Sequence, residues 1–393
     1  MTLTFINSKI NAHTYIREDE FMDTIIEKIT GDAAKDNAIL ERAAQIIKKG
    51  GLVAFPTETV YGLGGDAFDA DAARKIYAAK GRPSDNPLIV HIAHVEELKD
   101  LSDNIPKMAY RVADKFWPGP LTMIVQKNDR VPSTVTGGLD TVAVRLPSNE
   151  TARRFIELSG TYIAAPSANL SGRPSPTKAS HVTEDLAGRI DMIIDGGDIE
   201  IGLESTIVDL TGEVPVILRP GYVTGEMLSE TVGEVRLDPA LMTGVASDVK
   251  PKAPGMKYRH YAPRAEMTVI EGSREAVDNK IHELAKEASL SGQKVGIMVS
   301  DELAHDLDFA YVVKLGRHDD EEAIAKHLFD ALRQFDDEQV DVIFAEAFSQ
   351  EGLGRAVMNR LLKAAGQRLI HLSLIHISEP TRLMSISYAV FCL

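Results

Sequence analysis

The chain has 393 residues, of which 26% are charged and 44% hydrophobic, and its formal net charge is −15. This length and composition predict a soluble globular protein of two domains, and the acidic balance argues against broad, charge-driven nucleic-acid binding. The single cysteine, Cys392, excludes an internal disulfide and any site built on cysteine ligands. Because no apolar run approaches the roughly 20 residues of a membrane span and no secretory signal is recognisable, we expect a cytoplasmic protein.

The chain begins with a mixed, acidic segment that we interpret as an N-terminal extension over residues 1–37. An apolar stretch at residues 21–29 favours a short helix there, and a one-sided apolar pattern predicts another helix over residues 38–49. Residues 38–232 then interleave helices with closely spaced strands. This spacing predicts an α/β domain with a twisted mixed sheet rather than a purely parallel one.

Two strands of this domain end in polar, glycine-rich segments. Their sequences are PTETVYGLG at residues 56–64 and KGRPSDNPLIVHI at residues 80–92. Strand ends of this kind are where α/β proteins form ligand sites. Lys80 and Arg82 flank a glycine beside a proline-stiffened loop, which is typical of an anion site. On the residues alone, two ordinary strand–turn junctions with solvated charges explain the pattern equally well.

A linker over residues 233–263 is predicted from its prolines and glycines. Its final segment, PGMKYRHYAP, contains basic and aromatic side chains that could contact a ligand, whereas spacers are usually Gly/Ser-rich or plainly charged. We therefore interpret the linker as a lid; docking of one domain on the other is the alternative. Residues 264–370 alternate strands and helices, which predicts a smaller, Rossmann-like, doubly wound α/β domain. Residues 371–393 do not continue this pattern and are interpreted as a non-native tail.

Six segments, in this order, resemble the two-domain long form of the YrdC-like family of threonylcarbamoyl-AMP synthases. They are the two strand-end motifs above, followed by APSANLSG (165–172), ESTIVD (204–209), LRPG (218–221) and PGMKYRHYAP (254–263). The resemblance covers about residues 38–370. It implies a nucleotidyltransferase that joins L-threonine, bicarbonate and ATP into L-threonylcarbamoyladenylate and pyrophosphate. The product would serve the threonylcarbamoyladenosine modification of tRNA next to the anticodon, reaching tRNA through a downstream transferase complex.

The resemblance also implies a site, residue by residue. Threonine would be bound by Thr59, His91, Arg145, Ala165 and Ser205. ATP would be bound by Arg82, Asn86, Thr141, Ser167, Ser175, Arg219 and Tyr258. Lys80 and Arg82 would act catalytically, with Lys80 adding positive charge over the phosphates. Without the resemblance, Arg145 and Arg219 fit a strand-end arginine and a solvated loop arginine.

No protein-held metal site is predicted, and Mg²⁺ is expected to arrive bound to ATP. His91 and His94 are three residues apart, so on a strand they point to opposite faces and do not suit one metal. Two other functions stay open: a related carbamoyl-adenylate-forming enzyme, which would not need threonine, and a non-catalytic RNA-binding module. The acidic balance counts against the module. The oligomeric state is not predicted.

Overall fold

The computed structural model describes residues 22–243, 251–254, 260–305 and 307–372. The elements of its first part are, in chain order, β1 (Ile25–Lys28), α1 (Ala33–Lys48), β2 (Val53–Phe55), β3 (Gly62–Asp66), α2 (Ala70–Lys80), β4 (Ile89–His91), α3 (Lys107–Phe116), β5 (Leu121–Gln126), β6 (Thr141–Arg145), α4 (Glu150–Ser159), β7 (Ile163–Ala165), α5 (Ala179–Leu186), β8 (Met192–Asp195), β9 (Thr206–Asp209), β10 (Val216–Arg219), α6 (Gly225–Val232), β11 (Arg236–Leu237) and α7 (Ala240–Thr243). The second part contains β12 (Glu266–Glu271), α8 (Arg274–Leu290), β13 (Val295–Val299), β14 (Ala310–Lys314), α9 (Glu321–Asp337), β15 (Val342–Glu346), α10 (Gly354–Ala364) and β16 (Leu369–His371).

The sheet of the first part is mixed, as predicted. Its described strands follow the order β1-β8-β2-β3-β7-β4-β6-β5-β9-β10-β11. Strand β4 runs parallel to β6 and antiparallel to β7, so His91 lies opposite Arg145 on one side and Ile89 lies opposite Ala165 on the other. Residues that are 54 or more positions apart in the chain are thereby brought to one place in the sheet.

Local capping fixes the helix ends that approach this place. The Asp69 carboxylate accepts a hydrogen bond from the Asp71 N–H at the start of α2. At the other end, Gly81 adopts a left-handed conformation with φ of 62°, which a residue with a Cβ rarely does. The helix therefore stops at Lys80, and the chain turns sharply into Arg82.

Strands at the two edges of the first sheet lie in segments that were predicted as the N-terminal extension and the linker. The predicted helix over residues 21–29 is wrong, because residues 25–28 form β1, which pairs in parallel with β8. Pairing with an open sheet edge outweighs the local pattern here. The extension predicted over residues 1–37 thus overlaps the first sheet and the start of α1, and its residues 1–21 lie outside the described ranges. At the opposite edge, β11 pairs with β10 and extends the sheet into the predicted linker.

The second sheet is parallel throughout its described strands, in the order β14-β13-β15-β12-β16. Adjacent residues of β12 face opposite layers: Val269 packs in a cluster with α9 and α10, whereas Ile270 packs in a cluster with α8. Helices on both faces confirm the predicted Rossmann-like, doubly wound domain. The tail predicted over residues 371–393 lies outside the described residues from position 373 onward.

The two parts pack closely against each other. Val60 and Leu203 of the first part share a buried cluster with Phe329 of α9. Gly202 has a φ of +82°, and a Cβ placed on it would lie 2.5 Å from the Cα of Lys326. Only a residue without a side chain permits this approach. Within the described ranges, no helix combines the length and the apolar character needed to cross a membrane.

Candidate active site

A cavity lies at the centre of the first sheet, beside the second part of the chain. Its wall contains every side chain that the resemblance assigns to threonine: Thr59, His91, Arg145, Ala165 and Ser205. It also contains most of those assigned to ATP or catalysis: Lys80, Arg82, Ser167, Ser175 and Arg219. Strand ends and loops that are far apart in sequence meet here because the mixed sheet interleaves them.

Two of the predicted ATP residues, Thr141 and Asn86, are not part of this wall. Thr141 is the first residue of β6, four positions before Arg145, which on a strand corresponds to about 13 Å. Asn86 is buried, and its backbone oxygen accepts a hydrogen bond from Arg82. Tyr258 lies outside the described residues. Their assignment to ATP stays a prediction.

Arg145 lies at the end of β6 with its guanidinium buried in the cavity wall. Its Nη1 donates a hydrogen bond of 2.8 Å to Oγ1 of Thr59, and its Nη2 lies 2.7 Å from Oε1 of Glu58. Burial opposes the charge of Glu58, but Arg145 holds the pKa of that carboxyl below its usual range. The arginine is thus charged and fixed in orientation, which suits bidentate binding of a carboxylate.

His91 is next to Arg145 in the sheet and is a neutral imidazole. Burial, reinforced by the positive charge of Arg145, lowers its pKa to about 3. Its Nδ1 lies 3.1 Å from the backbone oxygen of Ile89, and its ring meets that of Phe55 edge-on at 5.9 Å. If Nδ1 carries the proton, Nε2 is left as an acceptor.

Lys80 fixes the loop that follows β7. Its Nζ donates to the backbone oxygen of Ser167 at 2.5 Å and to that of Asn169. Burial lowers the pKa of Lys80 well below its usual value, and the nearby Arg82 lowers it further. The amine is therefore engaged with loop carbonyls, and its proposed role over the phosphates stays a prediction.

Arg82 and Arg219 supply two buried guanidinium groups. Arg82 donates to the backbone oxygens of Asn86 and Pro87, and Arg219 donates to the backbone oxygen and the hydroxyl of Ser205. Burial lowers the pKa of each arginine to about 10, so both stay protonated at neutral pH. The two arginines give this side of the cavity two positive charges although the chain is acidic overall.

Glu204 links the cavity to the second part of the chain. Its Oε1 accepts a hydrogen bond of 2.5 Å from the Ser175 hydroxyl, and its Oε2 lies 3.1 Å from Nε of Arg360 in α10. Burial opposes ionisation, but Arg360 and then Arg219 hold the pKa of Glu204 below its usual range. Glu204 is therefore an ionised carboxylate in a basic surrounding.

The linker contributes Pro254, His260 and Tyr261 to the cavity wall. Burial lowers the pKa of His260 to about 3, with Arg82 as the next cause. The Tyr261 ring packs on Phe329 of α9 at 5.1 Å between centroids. The described linker residues thus touch both the cavity and the second part.

Sequence reasoning gave no role to Glu58, Glu204, Arg173 or Arg360. Glu58 and Glu204 lie inside recognised motifs. Because buried arginines need nearby carboxylates to balance their charge, these two residues could have been predicted as partners of the site arginines. Arg173 lines the cavity from the loop after β7. Arg360 has no such signal, because it belongs to a helix 156 positions beyond its partner Glu204.

Known proteins resemble this chain over most of its length. The family model described as Telomere recombination matches residues 45–221, and the model described as Threonylcarbamoyl-AMP synthase, C-terminal domain, matches residues 223–366. The threonylcarbamoyl-AMP synthase of Pyrococcus abyssi is 54% identical over 328 residues, which are 84% of this chain and 94% of that protein. That of Bacillus subtilis is 47% identical over 343 residues, which are 87% of this chain and 97% of that protein.

The chain belongs to the threonylcarbamoyl-AMP synthase family. The crystal structure of Pyrococcus abyssi Sua5 complexed with L-threonine superposes with a TM-score of 0.84 at 50% identity, covering 90% of this chain and 100% of that one. Family membership confirms that the chain is an enzyme. The two matched domain models confirm the long form of the family that the sequence motifs indicate.

Proposed function

We propose that the protein is a threonylcarbamoyl-AMP synthase, a nucleotidyltransferase that joins L-threonine, bicarbonate and ATP into L-threonylcarbamoyladenylate and pyrophosphate. One observation carries the proposal: a single cavity holds a fixed, buried Arg145 beside Thr59 and a second basic wall around Arg82 and Arg219. The first suits an amino-acid carboxylate and the second suits phosphates. The threonine-bound relative supports the first assignment.

The cavity residues act by binding and alignment. Arg145 binds the threonine carboxylate, and the neutral His91 and the hydroxyls of Thr59 and Ser205 orient the amino acid. Bicarbonate loses hydroxide to give carbon dioxide, and the threonine amine adds to its carbon and loses a proton, so that a carbamate and one water molecule are formed. A carbamate oxygen then forms a bond to the α-phosphorus, and the bond from that phosphorus to the oxygen bridging the β-phosphate breaks to release pyrophosphate. Arg82 and Arg219 stabilise the charge on the phosphates, and the step needs no protein nucleophile.

Mg²⁺ would enter as a complex with ATP. Among the described residues, no three His, Cys, Asp or Glu side chains are grouped to hold a metal ion. The carboxylate in the cavity wall, Glu204, is already paired with Arg360. Such an ion usually binds through phosphates and water, where it reduces the negative charge that the arginines also face.

The linker acts as a lid in this proposal. Pro254, His260 and Tyr261 in the cavity wall support that role. The carbamate and the adenylate both react with water, so a segment that excludes water protects them. The adenylate would then pass, in the cytoplasm, to a transferase complex that modifies tRNA.

The test measures pyrophosphate release from full-length protein supplied with ATP, bicarbonate and threonine. The proposal expects release that stops when threonine is omitted and when bicarbonate is removed. Release that persists without threonine would point instead to a related carbamoyl-adenylate-forming enzyme. No release under any condition would overturn the proposal.

A further inference from the structure

Two buried arginines of the second part reach into the first. Arg333 in α9 is 1% exposed and Arg360 in α10 is 0% exposed. Nη2 of Arg333 lies 2.7 Å from Oδ2 of Asp185, and Nε of Arg360 lies 3.1 Å from Oε2 of Glu204. Burying these charges is costly, and such pairs are poor stabilisers compared with apolar packing. Their position therefore calls for a reason other than stability.

Both arginines are linked to residues 174–175, next to or in the cavity wall, one directly and one through Glu204. Nη2 of Arg333 donates to the backbone oxygen of Pro174 at 2.7 Å. The neighbouring Ser175 donates its hydroxyl to Glu204, the carboxylate that Arg360 binds from its other side. The second part thus contacts Pro174 directly through Arg333, and it reaches Ser175 indirectly through the Glu204 carboxylate that Arg360 binds.

Arg360 also donates to two backbone oxygens, each of which belongs to the residue next to another cavity residue. It donates to the backbone oxygen of Glu204 at 3.3 Å, next to Ser205, and to that of Pro220, next to Arg219. One guanidinium group therefore joins the segment after Gly202 to the end of β10. Its planar fork with several donors can do this, whereas a lysine ammonium has no comparable geometry.

We propose that Arg360 is a positioning residue that acts through Glu204 to fix the Ser175 hydroxyl and the Arg219 segment on the nucleotide side of the cavity. The second part of the chain is then a structural component of the ATP site. The inference rests on the proposed function, because the assignment of Ser175 and Arg219 to ATP belongs to that function. The carboxylate-binding part of the threonine site, held by Arg145, Glu58 and Thr59 within the first part, has no described contact with Arg360. Ser205 borders both sides of the cavity, so only a small effect on threonine is expected.

The experiment compares Arg360→Met with Arg355→Met in the full-length protein. Arg355 lies on the same helix and faces Glu226 of the first part at 4.0 Å, but both side chains are partly exposed. We expect Arg360→Met to raise the KM for ATP at least tenfold while the KM for threonine stays within twofold. Arg355→Met should leave both values unchanged. Equal increases in both KM values, or no change in either, would overturn the proposal.

Two further variants separate positioning from folding. Arg360→Met/Glu204→Gln removes both charges but keeps an oxygen that accepts from Ser175, so it should recover part of the ATP affinity that Arg360→Met loses. Arg360→Lys keeps the charge but loses the planar fork, so it should raise the KM for ATP by a factor smaller than that of Arg360→Met. It also replaces Arg360→Met in the comparison if that variant does not fold. Wild-type affinity for ATP in Arg360→Lys, combined with no recovery in the double variant, would contradict a positioning role.

Binding of ATP by calorimetry distinguishes failure of this inference from failure of the proposed function. If the wild-type protein binds ATP but releases no pyrophosphate, the proposed reaction is wrong. A tenfold weaker ATP affinity in Arg360→Met, with that in Arg355→Met unchanged, would still support the positioning role. Equal affinities in all three proteins would overturn it.

Discussion

Nη2 of Arg145 and Oε1 of Glu58 lie 2.7 Å apart, and their side chains are only 5% and 3% exposed. The protein itself thus supplies this arginine with a carboxylate partner. A substrate carboxylate therefore meets a guanidinium that is already held in one plane. Preorganisation of this kind lowers the entropy that binding must overcome.

The first prediction concerns this pair. Arg145→Lys keeps a positive charge but loses the planar fork, so we expect threonine to bind about 10- to 100-fold more weakly, a loss of roughly 1.4–2.7 kcal/mol. ATP affinity should change little. Titration calorimetry with each ligand measures both effects, and Arg154→Lys, at an exposed arginine of α4, is the matched control. Unchanged threonine affinity in Arg145→Lys would remove Arg145 from the threonine site.

Arg82 is predicted to serve the nucleotide. Arg82→Ala should weaken ATP binding. Threonine binding without ATP should stay close to that of the wild type, because the described hydrogen bonds of Arg82 go to Asn86 and Pro87, which are not assigned to the threonine site. The variant also frees two backbone oxygens, so a lower melting temperature is expected. Arg82→Lys restores the charge and should recover part of the ATP affinity. Calorimetry that finds equal ATP affinities would rule out the assignment.

Threonine should be preferred over serine. Val60, Ile89 and Ala165 line the cavity and offer an apolar surface for the methyl group that serine lacks. One methyl group discriminates by about 1–3 kcal/mol, so the ratio of kcat/KM for threonine to that for serine should be about 10- to 200-fold. Product formation in mixtures of the two amino acids measures this ratio directly. A ratio near one would contradict an apolar contact with the methyl group.

Protonation of His91 should reduce stability below neutral pH. The folded protein keeps His91 neutral down to a pKa of about 3, whereas the unfolded chain binds a proton near the usual value of 6.5. The unfolded state therefore holds more protons between these values, and stability falls as the pH falls. From pH 6.5 to 5.0 the expected loss from this residue is about 1.5 kcal/mol in the free energy of unfolding. Denaturant unfolding of His91→Gln should show a decline smaller by that amount; identical declines would mean that His91 is not buried as a neutral group.

The sequence predicts much of the first domain because its motifs are local. The glycines and prolines that shape the strand ends at residues 56–64 and 80–92 lie within those segments. The cavity wall brings Lys80, Arg82 and His91 together. Strand β1 was missed because its partner, β8, is 167 positions away at Met192. The same distance problem hides Arg360 as a partner of Glu204. An ion pair between two domains depends on how the domains pack, so it cannot be predicted from residue spacing within one segment.

Gly202 lies so close to the backbone of Lys326 that position 202 has no room for a side chain. The evolutionary consequence is that the two domains cannot be exchanged as independent modules. A hybrid that joins this first domain to the second domain of a distant relative would have to preserve a glycine on one side and the path of α9 on the other. Long-form relatives that keep this contact should therefore keep glycine at position 202, whereas the contact sets no residue type at position 326, because only backbone atoms of α9 take part in it.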